Sequence, residues 1–166
     1  MDIIGFLKKG GIRWPLKPRA PAFTSFSIGP YGLDMEISGL SGLREFSKIE
    51  YREVTRQFKS ERIYYAPAVD FAGYNWKVLL NVVDRKIYKI TAYIGTKDKD
   101  LANDATMNAF LYCKNQMGEP TKQRKEMFVW ETMNGDISFQ TTETTEGFGI
   151  NLFLISHALR NFTQLR

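Results

Sequence analysis

Apolar and polar residues alternate singly over 33–38, where Leu33, Met35 and Ile37 interleave with Asp34, Glu36 and Ser38. Period two puts the apolar three on one face of an extended chain, so a half-buried strand is predicted there. Gly39 and Gly42 mark a turn after it. Over 43–58, Leu43, Phe46, Ile49 and Val54 follow helical spacing, while Ile49 and Tyr51 also fit a strand. A helix is the favoured reading of that stretch.

Residues 76–94 carry the clearest pattern. Trp76, Val78, Leu80 and Val82 share one face of a strand, and Asp84-Arg85-Lys86 is polar and turn-like. Tyr88, Ile90, Ala92 and Ile94 then alternate with Lys89, Thr91 and Tyr93. Two β-branched and aromatic runs around a short charged turn predict a hairpin.

A helix is predicted over about 99–117. Asp98 or Asp100 supplies an acceptor for the free amides of its first turn. Leu101, Ala105, Ala109, Tyr112, Cys113 and Met117 recur near the helical repeat as an apolar stripe. Gly118 stands where a left-handed cap is wanted, and Pro120 follows.

Beyond the helix, Met127–Thr132 and Ile137–Thr141 flank Asn134-Gly135, a strong hairpin signal. A two-residue loop would set Trp130 opposite Phe139 and Phe128 opposite Thr141. The Thr/Glu-rich run 141–147 reads as a loop or a fraying strand end. Residues 148–156 read as an interior strand, apolar on both faces from Leu152 to Ile155 and so covered on each side. From His157 a short helix is expected to pack Leu159 and Phe162.

These elements predict an α+β fold: an antiparallel sheet of five to six strands, built from two hairpins and a C-terminal strand. One principal helix packs on one face. Four of the six prolines (Pro15, Pro18, Pro21 and Pro30) lie in 1–31, which therefore reads as an extended arm leading into a single domain over 32–166. At 166 residues one self-supporting core is expected.

Charge sharpens that division. Lys8, Lys9, Arg13, Lys17 and Arg19 face only Asp2, a local balance of +4 within a whole-chain +5. Trp14 sits among these cations. The favoured reading is that the arm wraps the body, burying Trp14 and Phe23 while its charges stay in water. The alternatives are an acidic protein partner, a nucleic acid held through phosphate contacts and base stacking, or a membrane surface met by Ile3, Ile4, Phe6 and Leu7 with Lys8 and Lys9 behind them. The remaining residues are almost neutral and lack the basic stripe of a dedicated nucleic-acid binder. The single cysteine, Cys113, excludes an intramolecular disulfide. No apolar run approaches the roughly 20 residues of a membrane span. A soluble cytoplasmic protein is expected.

Catalytic chemistry finds little support. His157 lacks a patterned nucleophile and reads as a boundary histidine hydrogen-bonded at the sheet end. Cys113 lies on the apolar stripe and reads as a small buried hydrophobe. One histidine and one cysteine exclude an ordinary structural zinc site, and Asp98, Asp100 and Asp104 read as capping acids. Asp34 and Glu36 read as a solvated strand edge, and Glu131 as solvent-facing. No glycine motif has the strand–loop–helix setting of a phosphate cradle. No metal or other cofactor is expected.

The favoured reading is a non-catalytic protein-binding module, of adaptor or immunity/inhibitor type. It would act through an exposed sheet face and aromatic loop residues in 63–76, namely Tyr64, Tyr65, Phe71 and Tyr74. The alternatives are a nucleic-acid binder using the arm residues Lys8, Lys9, Arg13, Trp14, Lys17 and Arg19, and a small enzyme with a carboxylate/Tyr site that leaves no local signature.

Overall fold

Among the described residues ten strands form two antiparallel sheets. The computed structural model describes residues 26–52, 58–125 and 127–160, so the basic arm residues Lys8, Lys9, Arg13, Trp14, Lys17 and Arg19 lie outside them. A short hairpin, β1 (Ser27–Ile28) and β2 (Tyr31–Gly32), precedes a 3-10 turn at Ile37–Gly39. Then come β3 (Arg44–Arg52), β4 (Phe58–Phe71), β5 (Tyr74–Val83), β6 (Lys86–Thr96) and helix α1 (Lys99–Met117). The chain continues through β7 (Lys122–Arg124), β8 (Met127–Glu131), β9 (Gly135–Thr144), β10 (Gly147–Ser156) and α2 (His157–Arg160).

The main sheet has the order β3-β4-β5-β6-β10-β9-β8-β7. It is two four-stranded meanders joined side by side at β6 and β10. Helix α1 connects them across one face. The expected α+β class holds, but eight strands replace the expected five to six, with the β1–β2 pair in addition.

Three local expectations are corrected. Residues 33–38 are not a strand. Asp34 adopts φ 62°, which breaks the extended run, and only Glu36 bridges to Lys86. The segment is instead laced to the β5–β6 turn by Asp34 N–H to Ile87 O at 2.8 Å, Ile87 N–H to Met35 O at 2.9 Å and Ile37 N–H to Arg85 O at 3.0 Å. The favoured helix over 43–58 gives way to β3, because pairing with β4 outweighs a sparse apolar spacing. The stretch 63–76 is not an aromatic loop but the end of β4, a tight turn and the start of β5.

The predicted hairpin over 76–94 is present, with the turn at Asp84-Arg85. Helix α1 has the predicted bounds. Asp98 caps it, accepting from the amides of Asp100 at 2.9 Å and Leu101 at 3.2 Å. Its buried stripe is Ala102, Ala105, Thr106, Ala109, Phe110 and Cys113, while Leu101 and Tyr112 of the predicted stripe are exposed. Phe110 sets this rotation, packing its ring 4.8 Å from Phe128 and 6.0 Å from Trp130. Small alanines let the helix lie close to the sheet, and Trp130 Nε1 donates to Gly118 O at 2.9 Å, fastening the helix end to β8.

The second hairpin is present in a shifted register. Phe128 faces Phe139 and Trp130 faces Ile137, two positions from the register that a loop at Asn134-Gly135 would give. Thr132 causes the shift: its N–H donates to Gly135 O at 3.0 Å, and its hydroxyl accepts from Gly135 N–H at 3.1 Å. A shift of two keeps every side chain on its face. The run 141–144 continues β9 rather than forming a loop. Strand β10 is interior, as expected, yet among the described residues only one of its faces is covered. Ile150, Leu152 and Leu154 are buried, whereas Asn151, Phe153 and Ile155 are half-exposed. Among the described residues the sheet thus has a helix side, where the core lies, and an opposite side that no helix covers, here termed the open side.

Candidate functional site

The four predicted aromatics do not share a surface. Successive residues of a strand point to opposite faces. Tyr64 is buried on the helix side, 9% exposed, and Tyr65 is half-buried on the open side. Phe71 is buried in a ring cluster, 5.8 Å from Trp76 and 4.5 Å from Tyr112. Tyr74 is half-buried beside the helix and donates its hydroxyl to the Asp104 carboxylate. That bond raises the Tyr74 phenol above its ordinary value. Only Tyr65 therefore belongs to the open side.

The strand register assembles the open side row by row. Arg44 pairs with Tyr65, Tyr65 with Leu79, Leu79 with Thr91 and Thr91 with Phe153. The row continues through Ser138 and Val129 to Lys122, crossing all eight strands. Beside it, Lys77 pairs with Tyr93 and Tyr93 with Asn151. On the other flank, Ile63 pairs with Asn81, Asn81 with Lys89 and Lys89 with Ile155. Neighbouring strands lie about 4.8 Å apart, so these rows form a continuous lattice. The row members between Arg44 and Lys122 are half-exposed.

Cations and rings alternate across this lattice. The Arg44 guanidinium stands over Tyr65 at 5.0 Å, Lys77 Nζ over Tyr93 at 5.9 Å and Lys89 Nζ over Phe153 at 5.4 Å. Each contact contributes about 0.5–1 kcal/mol at an exposed site. Phe46 extends the surface at the β3 bulge, 58% exposed and edge-on to Tyr65 at 5.0 Å. Among the described residues, Lys77 and Lys89 meet no carboxylate within ion-pair distance. The acids nearby are engaged: Glu131 with Lys122, and Asp136 with His157.

No family model matches this chain, and neither does any curated protein or solved structure. Its chemistry rests on its own side chains.

A carboxylate/Tyr constellation does exist. Glu61, on β4 and 2% exposed, accepts from Asn81 Nδ2 at 2.5 Å and from the Tyr88 hydroxyl. The acceptor lies on β4 and its two donors on β5 and β6, and the carboxylate itself is buried among them. A solute reaches this carboxylate only if the strands part, so the cluster ties strands together. Sequence inspection missed it, because Tyr88 enters through a β-bulge opposite Asn81 and Val82.

His157 closes the sheet end, as expected of a boundary histidine. Its Nε2 lies 2.8 Å from Asp136 Oδ1 and its Nδ1 3.3 Å from Met133 O. Both partners are acceptors, so the ring donates to both together only when each nitrogen carries a proton. Cys113 is fully buried, and burial pushes its thiol up to about 12. Asp34 is not on a strand edge; it accepts from the Ser156 hydroxyl. Among the described residues no group of three or more His, Cys, Asp or Glu is placed to hold a metal ion, and no helix is long and apolar enough to cross a membrane.

Tyr93, Phe153, Lys77 and Lys89 were not singled out from sequence. The alternation Lys89, Thr91, Tyr93 was visible as the polar side of β6. Its meeting with Phe153 depends on the long-range pairing of β6 with β10.

Proposed function

We propose that the protein is a non-catalytic binding module of adaptor or inhibitor type, docking an acidic protein surface on the open side of its sheet. One observation carries this reading: Lys77 and Lys89, unpaired with carboxylates among the described residues, stand over Tyr93 and Phe153 in a half-exposed lattice. Rings supply apolar contact area at small entropic cost, and the cations select and steer an acidic partner. A second copy of the chain would bring like charges together across a two-fold contact. The chain's own arm, with a local balance of +4, would be repelled in the same way. Tyr65, among the four aromatics first singled out, belongs to this surface. The expected setting is the cytoplasm, where a thiol such as Cys113 stays reduced.

The test uses immobilised wild type, the double variant Lys77→Glu with Lys89→Glu, and a helix-side control, Asn108→Glu. Each is exposed to extract of the native host, and cross-linked proteins are identified by mass spectrometry. An acidic protein captured by wild type and control, and lost with the double variant, supports the reading. Equal capture by all three, or a basic partner, overturns it. Salt-sensitive retention of a labelled single-stranded oligonucleotide through the same lysines replaces it with nucleic-acid binding. Dimerisation abolished by the double variant replaces it with self-association.

A further inference from the structure

The helix side of the sheet carries a cleft that the docking surface does not use. It opens where β4 and the β5–β6 turn meet the segment 37–38, with a volume of about 520 Å³. Sites for small molecules span roughly 300–1,000 Å³. Ile37 and Val82 give it apolar lining beside Tyr64, and Arg62 and Arg85 line the same space.

The backbone beneath Arg85 is held against its preference. Asp84 and Arg85 adopt φ 50° and 65°, the signature of a type I′ hairpin turn. Asp suits the first position of such a turn, but the second strongly favours glycine. A side chain there adopts a left-handed conformation that L-residues avoid. The bond from Ile37 N–H to Arg85 O at 3.0 Å and the bridge Glu36–Lys86 fix the turn. A hairpin alone does not need an arginine at this place. Strained residues kept by their surroundings cluster at functional sites.

The resident acids narrow the ligand. Asp84 lines the cleft, and Glu45 stands 3.6 Å from Arg62. That ion pair is loose, and both side chains are nearly half-exposed, 47% and 43%. Glu45 can therefore swing into water and leave the guanidinium to a competitor. With two acids already close, one added negative charge is accommodated better than two.

We infer that this cleft binds a small organic carboxylate, its carboxylate held by Arg62 and Arg85 and its apolar body resting on Ile37 and Val82. Planar guanidinium forks match a carboxylate's two oxygens. Two sources share this chemistry, a free small acid and the C-terminus of a polypeptide. The site lies across the sheet from the docking surface, so either reading stands without the other.

The experiment titrates the labelled full chain by amide NMR with four probes: benzoate, benzamide, a short peptide ending in leucine, and that peptide's C-terminal amide. Benzoate or the free-acid peptide is expected to shift the amides of 37–38 and 82–85, and which of them acts identifies the source. Benzamide and the amidated peptide leave those amides in place. Arg62→Gln and Arg85→Gly each abolish the shifts. Arg85→Gly also melts at a higher temperature than wild type, because glycine fits the turn, so its lost binding cannot be ascribed to unfolding. Shifts absent with both acids, equal with the neutral analogues, or persisting in both variants overturn the inference. Inorganic phosphate acting as strongly as benzoate does so as well, since it has no apolar body to rest on Ile37 and Val82.

Discussion

The Ser156 hydroxyl donates to the Asp34 carboxylate at 2.6 Å, joining residues 122 positions apart in sequence. Ser156 is fully buried at the end of β10, and Asp34 holds the left-handed turn that ends the N-terminal hairpin segment. The bond straps that segment to the sheet's central pair of strands. A hydrogen bond to a charged group contributes about 1.5–3 kcal/mol. Ser156→Ala is expected to lower stability by about that amount, read as a shift of the urea midpoint at constant slope. An unchanged midpoint would mean that the strap contributes nothing net.

Gly135 is required by a close approach. A Cβ built there would lie 2.6 Å from Leu33 Cδ1 and 2.7 Å from the Ile155 carbonyl oxygen. Leu33 can shift, but the backbone of β10 cannot without disturbing its pairing. Gly135→Ala is therefore expected to cost about 2 kcal/mol or more. Thermal melting checks this, with the exposed Gly39→Ala as the comparison, because a Cβ at Gly39 meets nothing within 4 Å.

Gly135 also illustrates what the sequence allowed to be read. Asn134-Gly135 signals a hairpin, and a hairpin is there, but the bonds between Thr132 and Gly135 move its loop one residue back, to Met133-Asn134. Periodicity located the strongly patterned pieces, β5, β6 and α1, because their apolar spacing is set locally. It failed at β3 and at 33–38, whose conformations depend on partners elsewhere in the chain: β4 for the one, the Asp84-Arg85 turn for the other. The candidate surface was less legible still. Tyr65 stands out in sequence by its aromatic neighbours, yet Tyr64 and Phe71 are buried in the core and Tyr74 lies beside the helix. Tyr93 and Phe153 are ordinary strand residues in sequence, and only the pairing of β6 with β10 brings them onto one surface. Arg62 and Arg85, 23 positions apart by their numbering, carry no spacing that would announce a shared cleft.

Cys113 gives a stability signature at alkaline pH. Burial raises its thiol from 9.0 to about 12, so the folded protein keeps a proton that the unfolded chain loses. Thiolate formation then favours the unfolded state. The contribution is complete below about pH 9 and is lost as pH climbs towards 12. One unit above the unfolded value, the loss is about 1.4 kcal/mol. Tyrosines and lysines titrate in the same range, so the measurement is a difference. Stability is followed against pH for wild type and for Cys113→Ala, and the wild-type curve should fall more steeply above pH 9. Parallel curves would show that the thiol is hydrated in the folded state.

Leu152 and Phe153 are neighbours on β10 that face opposite ways, which separates packing from docking. Leu152 is fully buried under α1, and its replacement by alanine should cost about 2–5 kcal/mol. Phe153 is half-exposed in the open lattice beneath Lys89. Phe153→Ala forfeits one cation–ring contact of about 0.5–1 kcal/mol and the burial of only part of a ring, so a loss of about 1–2 kcal/mol is expected. The order reverses for binding. Phe153→Ala should weaken capture of the acidic partner while the variant remains folded. Leu152→Ala, studied at a temperature where it is still folded, should capture the partner as wild type does. Urea midpoints and cross-linking yields on the same samples give both readouts. A Phe153 variant that loses as much stability as the Leu152 variant, yet captures normally, would make Phe153 a packing residue and remove it from the proposed surface.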